Sequence, residues 1–314
     1  MTNPLTNPLT NPLILGLDSG GSGTTWALAD ATGQIHDLQH GPTLMPTQAP
    51  DWHARLATML PKTAVAAAVL GLPVHGEIAS YSAAQTRAAH ALIGPQAMVC
   101  NDVQIAHTGA FAGGSGVLIL AGTGSMAWAS NGIRRHRVGG WGELLGDEGS
   151  GYWIGAQALN RLTHCLDHRL EDAAFAAGML SAIGTDAAGL PDWAYGQADF
   201  RGAVAALAPA VTALAATATG SAIITEAANH LARHIATAQQ LIGLYPLQWS
   251  HAGGVFTCKL LLTRLQSRLA TQPIKPILPP LGGALWQAAT NAGWAPDATF
   301  IKTLAAELSD KDPP

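Results

Sequence analysis

Residues 139–155 read GGWGELLGDEGSGYWIG, a glycine-dense loop that leads into a predicted helix reaching about residue 165. Glycine lets the backbone approach a ligand closely and adopt positive φ at little cost. This run, which carries Trp141 and Asp147, is too specific for a generic connecting loop. It therefore directs attention to the other glycine-rich turns of the chain.

Three more glycine loops each follow a short apolar run: DSGGSGT at residues 18–24, GTGS at 122–125, and the pair Gly253 and Gly254. Backbone N–H groups and hydroxyls in such loops can donate hydrogen bonds to phosphate oxygens. Asp18, at a predicted strand end, can bind Mg²⁺ directly or through water. Each loop alone also fits a plain turn, but the three together favour a nucleotide site. The chain has no Gly-Lys pair and hence no Walker A motif.

Apolar runs give one layout twice: a strand, a glycine loop, a returning strand and then helices. The first half has predicted strands at residues 13–17, 24–29, 34–38, 64–72 and 97–100, and predicted helices at 82–92 and 103–112. Its first three strands predict an antiparallel meander, and the continuous apolar run at 64–72 predicts a fully buried strand. The second half has strands at 116–121, 125–129 and 247–250 and a helical region from about 171 to 244, with later helices at 256–269, 285–292 and 300–308. The sequence predicts an α/β fold whose two halves separate near residues 112–115.

Composition limits the partners and the compartment. The 314 residues are 48% hydrophobic and 11% charged, with a net charge of −4, so the chain can fold into about two domains and has no basic stripe for nucleic acid. The cysteines are Cys100, Cys165 and Cys258, without a CxxC pair, which favours buried thiols in a reducing cytoplasm over disulfides or zinc.

Two segments need separate consideration. Residues 202–225 carry no charge, but they are mostly Ala, Thr and Gly with Pro209 inside, so we expect a pair of helices broken near residues 219–220 and no membrane span. Residues 2–13 repeat TNPL three times without a basic or strongly apolar region, which indicates a low-complexity leader and not a signal peptide.

The run at 139–155 closely resembles the N-acetylglucosamine kinase and BadF/BadG/BcrA/BcrD ATPase family, within the superfamily of actin-like sugar kinases and Hsp70 ATPases. The other motifs fall in family order: residues 18–24, 101–102, 122–125, 253–254 and 280–285. The resemblance covers about residues 13–292. It implies two RNase H-like (actin-like ATPase) domains flanking a nucleotide and sugar cleft.

The expected domains are a leader (1–12), an N-terminal domain (13–113), a C-terminal domain (114–299), and a final helix and tail (300–314) that could pack back on the first domain. The resemblance implies Asp102 as the catalytic base and Asp18 as the Mg²⁺ ligand. ATP and its phosphates would contact Gly20, Gly21, Ser22, Thr24, Gly122, Thr123, Gly124, Gly253 and Gly254. The sugar would contact Asn101, Gly140, Trp141, Asp147 and Thr43.

The residues alone leave other interpretations open. Asp102 is also suited to cap the helix predicted from residue 103, and Asp147 to occupy a turn. Thr43 stands where family kinases often carry an Asn that touches the sugar, and Met126 where some relatives have Asn, so the identity of the sugar stays open.

The expected function is ATP-dependent phosphorylation of an amino sugar, N-acetylglucosamine or glucosamine, on its 6-hydroxyl. ATP and Mg²⁺ are the expected cofactors, with no nucleic acid or membrane partner and with a homodimer left open. The alternatives are an ATPase that activates a partner enzyme and a non-catalytic sugar or nucleotide sensor. Activating relatives hold an iron–sulfur cluster near the second phosphate loop, and no cysteine lies between Asn101 and His164 here. The zinc motif of the ROK kinases is also missing.

Overall fold

The computed structural model describes residues 12–20, 23–44 and 52–311. The chain divides into two compact units, one formed by Met1–Gly114 with Lys275–Pro314 and the other by Ser115–Ile274. Both are α/β, and each is built on one sheet. The prediction of an α/β fold with two halves is confirmed. The TNPL repeat falls almost entirely outside the described residues.

The first unit contains a five-stranded sheet in the order β3-β2-β1-β4-β5. Strands β1, β2 and β3 form the predicted antiparallel meander, and β4 and β5 continue from β1 in parallel. The strands are β1 (Ile14–Ser19), β2 (Thr24–Ala29), β3 (Ile35–Gly41), β4 (Ala67–Leu72) and β5 (Ala97–Asn101). The helices are α1 (Trp52–Met59), α2 (Ala79–Leu92), α3 (Asp102–Phe111), α11 (Pro280–Asn291) and α12 (Ala298–Lys311).

Strand β4 is buried along its whole length, as its continuous apolar run predicts. The sheet has an apolar cluster on each face, because successive side chains of a strand point to opposite sides. On β1, Ile14 belongs to the cluster that includes α11 and α12, whereas Leu15 belongs to the cluster that includes α1 and α2. The core of this unit therefore lies on both sides of the sheet.

Helix α11 corrects the predicted domain boundary. Residues 275–299 were assigned to the second domain, but they belong to the first unit, where Leu281 and Leu285 enter its core. The reason is a close helix contact: a Cβ on Gly109 of α3 would lie 2.5 Å from the carbonyl oxygen of Pro279, and one on Gly283 would strike the backbone of α3. Glycine at both positions lets the backbones approach, a long-range fit that a linear pattern does not reveal. Helix α12 also packs in this unit, through side chains in the same cluster.

The second unit has a four-stranded sheet in the order β8-β7-β6-β9. Its strands are β6 (Gly116–Ala121), β7 (Ser125–Ser130), β8 (Arg135–Gly139) and β9 (Trp249–Ala252). Its α-helices are α4 (Gly151–Leu166), α5 (Ala173–Ile183), α6 (Leu190–Tyr195), α7 (Phe200–Ala205), α8 (Ala208–Ala213), α9 (Ala218–Ile242) and α10 (Lys259–Leu269), and Gly254–Thr257 forms a 3-10 helix. Strand β8 was not predicted, because it is an edge strand with charged, exposed residues and lacks an apolar run.

The uncharged segment forms α7, α8 and the start of α9. The chain bends at residues 214–217 and not at 219–220, because Thr217 is the N-cap of α9 and accepts a hydrogen bond from the Gly220 N–H at 3.1 Å. Within the described residues, no single helix is long and apolar enough to cross a membrane. One pair, Phe200–Ala213 and Ala218–Ile242 bent by 116°, passes that test by length and composition. The apolar side of α9, with Ile223 and Leu231, is buried in the core of this unit.

Candidate active site

One group of candidate site residues lies at the carboxyl edge of the first sheet. Asp18 is near the end of β1, and Asp102 follows β5 as the first residue of α3. Gly71 of β4 pairs with Asp18 on one side and with Cys100 on the other, so about two strand spacings, roughly 10 Å, separate the two outer strands here. Ligands of open α/β sheets bind at this edge.

Burial raises the pKa of Asp102. Loss of solvation raises the pKa of Asp102 to about 6, and the nearby charge of Glu77 adds to the increase, while a hydrogen bond from the Val103 N–H opposes it. That N–H donates to Asp102 Oδ1 at 2.9 Å. No lysine or arginine within the described residues forms an ion pair with Asp102. This carboxyl group can therefore gain and lose a proton near neutral pH.

Asn101, and not Asp102, is the N-cap of α3. Its Oδ1 accepts from the Val103 N–H at 3.0 Å, and its Nδ2 donates to the His75 carbonyl at 3.0 Å and to Glu77 Oε1 at 3.1 Å. Asn101 is buried, and these bonds engage both ends of its amide. The structure therefore gives Asn101 a capping role that holds the turn before Asp102, and the sugar contact expected at Asn101 stays a prediction.

The first glycine loop is fixed by two buried hydroxyls. Ser19 Oγ lies 2.7 Å from Thr24 Oγ1, and Thr24 Oγ1 donates to the Pro42 carbonyl at 2.8 Å. Ser19 Oγ also accepts from the Leu44 N–H at 3.0 Å, so the loop is tied to the segment that contains Thr43. Because the Thr24 hydroxyl donates to the Pro42 carbonyl, its side chain has a structural role in the loop. The phosphate contact expected at Thr24 stays a prediction.

Gly20 is in the described part of this loop, whereas Gly21 and Ser22 lie outside the described residues. The Gly20 N–H donates to the Gly23 carbonyl at 3.0 Å and closes the turn. An open cavity of about 320 Å³ adjoins the loop and is lined by Asp18, Gly20 and Gly23 together with Thr24, Thr25, His40 and Gly41. The space can admit a phosphate beside the Asp18 carboxylate.

The second glycine loop is anchored to the start of α4. The Gly122 carbonyl accepts from the Gly151 N–H at 2.7 Å, and the Thr123 carbonyl accepts from the Tyr152 N–H at 3.2 Å. The carbonyls of the loop thus point toward the helix. Within the described residues, the N–H groups of Thr123 and Gly124 have no hydrogen-bond acceptor, so they can donate to an anion.

A cavity of about 440 Å³ borders this second loop within the second unit. Gly122, Thr123, Gly254 and Val255 line one part, and Ala205, Ala206, Ala208, Pro209 and Thr212 of the α7–α8 segment line another. The walls are mostly small and apolar, which suits a flat aromatic base next to a phosphate loop. Gly253 does not line the cavity: it has φ +107, and a Cβ there would strike the carbonyl of Ala121.

Asp147 is the most constrained residue of the opening motif. It is 2% exposed and has φ +59, a left-handed conformation that is uncommon for a non-glycine residue. Its Oδ1 accepts from the Ser125 N–H at 3.4 Å, and its Oδ2 accepts from Arg201 Nη2 at 3.0 Å. Glu143 Oε2 lies 3.1 Å from Arg201 Nε. The buried carboxylate is therefore paired with one arginine and lies directly behind the second glycine loop.

Two other expected sugar contacts have clear positions. Trp141 is 66% exposed, with the Arg137 guanidinium 5.1 Å from its ring centroid, so it presents an aromatic surface and not an enclosed wall. Gly140 has φ +71, and a Cβ there would lie 2.8 Å from the terminal methyl carbon of Met126. This fit brings Met126 against the start of the motif.

A comparison with known families decides the classification. The model of the BadF/BadG/BcrA/BcrD ATPase family matches residues 15–287, which is most of the chain. The chain belongs to this family. The structural neighbours include sugar kinases with the actin-like ATPase fold, and they confirm the predicted fold class.

Three proteins similar to this BadF/BadG/BcrA/BcrD ATPase family member carry informative names. A candidate N-acetylglucosamine kinase from Chromobacterium violaceum has a TM-score of 0.71 and 26% identity, with 87% of this chain and 98% of that chain covered. A candidate N-acetylglucosamine kinase from Porphyromonas gingivalis, at TM-score 0.67 and 18% identity over 89% and 99% of the two chains, shows the shared fold. The N-acetylmuramic acid/N-acetylglucosamine kinase of Clostridium acetobutylicum is 41% identical over 75 residues. That match spans 24% of this chain and 24% of the relative's length.

Arg201 and the α7–α8 wall of the cavity were not predicted. Arg201 lies 54 residues after its partner Asp147, in a segment whose composition indicated only helix. The one available signal was an isolated arginine in a long stretch without other basic residues. Glu77, which raises the pKa of Asp102, was also missed because only the fold brings it near that carboxylate.

The described residues do not contain a ready-made metal cluster: no group of three or more His, Cys, Asp or Glu side chains is placed to hold a metal ion. Mg²⁺ bound with a nucleotide needs few protein ligands, since phosphates and water complete its octahedral shell. A single strand-end carboxylate, Asp18, beside a cavity at a phosphate loop fits that requirement.

Proposed function

We propose that this chain is an ATP-dependent kinase that phosphorylates an amino sugar, N-acetylglucosamine or glucosamine, on its 6-hydroxyl. The observation that carries the proposal is Asp102, a desolvated carboxyl group with a pKa of about 6 at the carboxyl edge of the first sheet. The named neighbours are compatible with this substrate class, and the membership of the BadF/BadG/BcrA/BcrD ATPase family supports the use of ATP.

The residues of both units have distinct tasks in this proposal. The N–H groups of Thr123 and Gly124 bind phosphate oxygens. Gly20, which has open space where a side chain would stand, lets a phosphate approach the first loop closely, with Gly21 and Ser22 as further contacts. The 440 Å³ cavity, with Gly254 in its wall, receives the nucleoside. Gly253 lies next to the lining residue Gly254, and its positive φ lets the backbone pack closely against Ala121. Asp147, Trp141, Gly140 and Thr43 form the proposed sugar contacts.

Mg²⁺ would be held by Asp18, directly or through water, and would neutralise charge on the phosphates when bound. The protein's own contribution to the chemistry centres on Asp102. This carboxylate takes the proton of the sugar 6-hydroxyl while the oxygen forms a bond to the γ-phosphorus and the bond from that phosphorus to the bridging oxygen of ADP breaks. The products are the sugar 6-phosphate, ADP and a proton, which Asp102 later releases to solvent. General-base assistance of this kind contributes on the order of 10²–10⁴-fold.

The proposal is tested by identifying the product. The protein is incubated with MgATP and, separately, N-acetylglucosamine, glucosamine, N-acetylmuramic acid, N-acetylmannosamine or glucose. ADP release is followed, and the phosphorylated carbon is assigned by proton–phosphorus NMR. We expect the fastest release with one of the first two sugars and a phosphorus coupling to the protons on carbon 6. ADP release that is independent of sugar, or coupling to carbon 1, would contradict the proposal.

A further inference from the structure

The Asp147–Arg201 pair contacts the second glycine loop and adjoins a residue that lines the 440 Å³ cavity. A Cβ placed on Gly124 of the second phosphate loop would lie 2.7 Å from Asp147 Oδ2 and 3.0 Å from Arg201 Nη2. The ion pair is therefore packed directly against the backbone of the loop that we assign to the phosphates. The residue after Arg201 is Gly202, which lines the 440 Å³ cavity together with Ala205 and Ala206 of the same segment.

The two partners differ in their freedom to move. The side chain of Asp147 is 3% exposed and its backbone is left-handed, so its position is fixed by its surroundings. The side chain of Arg201 is 42% exposed and also reaches Glu143, whose side chain is 31% exposed. A group that approaches the Asp147 carboxylate can therefore change the contacts of Arg201 without moving Asp147. Such a change acts on α7, which carries Arg201 and borders the nucleotide cavity.

From this arrangement we infer that Arg201 is a positioning residue that couples sugar binding at Asp147 to nucleotide binding in the 440 Å³ cavity. The inference rests on the proposed function, because it takes Asp147 as a sugar contact. Arg201 holds the Asp147 carboxylate oriented when the sugar is absent. When a sugar hydroxyl donates to Asp147, the guanidinium adjusts and α7 closes on the nucleotide. Coupling between two sites is reciprocal, so bound nucleotide also tightens the sugar.

The test measures the affinity for MgADP by titration calorimetry, with and without 10 mM N-acetylglucosamine or glucosamine. For the unmodified protein we expect one of these sugars to tighten MgADP at least about fivefold, the lower end of typical coupling. In Arg201→Gln, the sugar-free dissociation constant should stay within about twofold of the unmodified value, while the tightening by sugar should fall below about twofold. Arg201→Lys, which keeps the charge but loses the fork, should recover part of the coupling.

Two further variants test whether a loss of coupling comes from the contacts of Arg201 and not from the removal of any arginine. Arg169→Gln removes an exposed arginine paired with Asp167 in the same unit and should leave coupling intact. Glu143→Gln weakens the hold on Arg201 while leaving Asp147 paired, so it should reduce coupling even if Arg201→Gln does not fold. Thermal unfolding of each variant identifies a folding defect.

The outcomes separate the inference from the proposed function. Undiminished coupling in both Arg201→Gln and Glu143→Gln would overturn the inference, as would an equal loss of MgADP affinity with and without sugar in Arg201→Gln. If a sugar supports turnover but does not change MgADP affinity in the unmodified protein, the inference fails and the proposed function stands. If no sugar stimulates ADP release, the proposed function fails, and the inference fails with it.

Discussion

Replacing Asp102 with asparagine should stabilise the fold while it removes turnover. The pKa of Asp102 is about 6 in the folded chain, against an ordinary value of 3.8. The folded state therefore binds more protons than the unfolded state between about pH 4 and pH 6, and stability falls as the pH rises through that window. At 1.36 kcal/mol per pKa unit, the raised pKa lowers the free energy of unfolding, relative to its value at low pH, by about 3 kcal/mol at pH 8 and by about 1.6 kcal/mol at pH 5.

Asparagine keeps the shape and the Oδ1 acceptor for the Val103 N–H but never ionises. We therefore expect Asp102→Asn to be more stable than the unmodified protein by up to about 3 kcal/mol at pH 8, with an advantage about 1.4 kcal/mol smaller at pH 5. Urea unfolding followed by tryptophan fluorescence at both pH values measures the difference. Asp310→Asn, at an exposed position, is the control and should show no comparable pH-dependent gain.

A variant no more stable than the unmodified protein at pH 8, or a gain that is the same at both pH values, would contradict this expectation. Either result would mean that the Asp102 carboxylate is well solvated or well paired in the folded chain. Asp102 would then lack the raised pKa that suits a general base.

Three more predictions concern the candidate site. Asp147→Asn should lower kcat/KM for the sugar about 10- to 100-fold, because hydrogen bonds to a charged group are worth roughly 1.5–3 kcal/mol, and steady-state ADP release measures it; an unchanged kcat/KM would remove Asp147 from the sugar site. Gly253→Ala should lower the unfolding free energy by about 1–3 kcal/mol, because φ is +107 and the Cβ would strike Ala121. Gly254→Ala has open space around its Cβ and should leave the unfolding free energy unchanged. Equal urea midpoints for the two variants would contradict this prediction. The profile of kcat/KM against pH should lose activity below about pH 6, since protonated Asp102 cannot accept a proton; a profile flat from pH 5 to 8 would exclude that role.

Most of the strand pattern could be predicted from local sequence. The meander of β1 to β3 and the buried β4 follow from apolar runs bounded by glycine turns, and the structure has them at nearly the predicted residues. Strand β8 could not be predicted, because an exposed edge strand needs no apolar side chains. Helix α11 was predicted as a helix but placed in the wrong domain, since its position depends on a glycine contact with α3 more than 150 residues away.

Some features of the candidate site could likewise be predicted from local sequence, and others could not. Asp18 lies near the end of a strand, and Asp102 and the second glycine loop follow strands in the chain, so their placement at sheet edges could be predicted. Other roles depend on partners brought together by the fold. The Thr24 hydroxyl donates to the Pro42 carbonyl, and the Asn101 side chain caps α3. Arg201 has no motif of its own, and its importance comes from a contact with a buried carboxylate that only the folded chain creates.

Sugar-dependent ADP release by the unmodified protein and by Asp102→Asn, with MgADP binding measured on both, tests the role of Asp102 most directly. We expect N-acetylglucosamine or glucosamine to stimulate release by the unmodified protein. We also expect Asp102→Asn to lose about 10²-fold or more of that rate while it binds MgADP with unchanged affinity. A variant that keeps more than about a tenth of the rate would contradict the assignment of Asp102 as the general base.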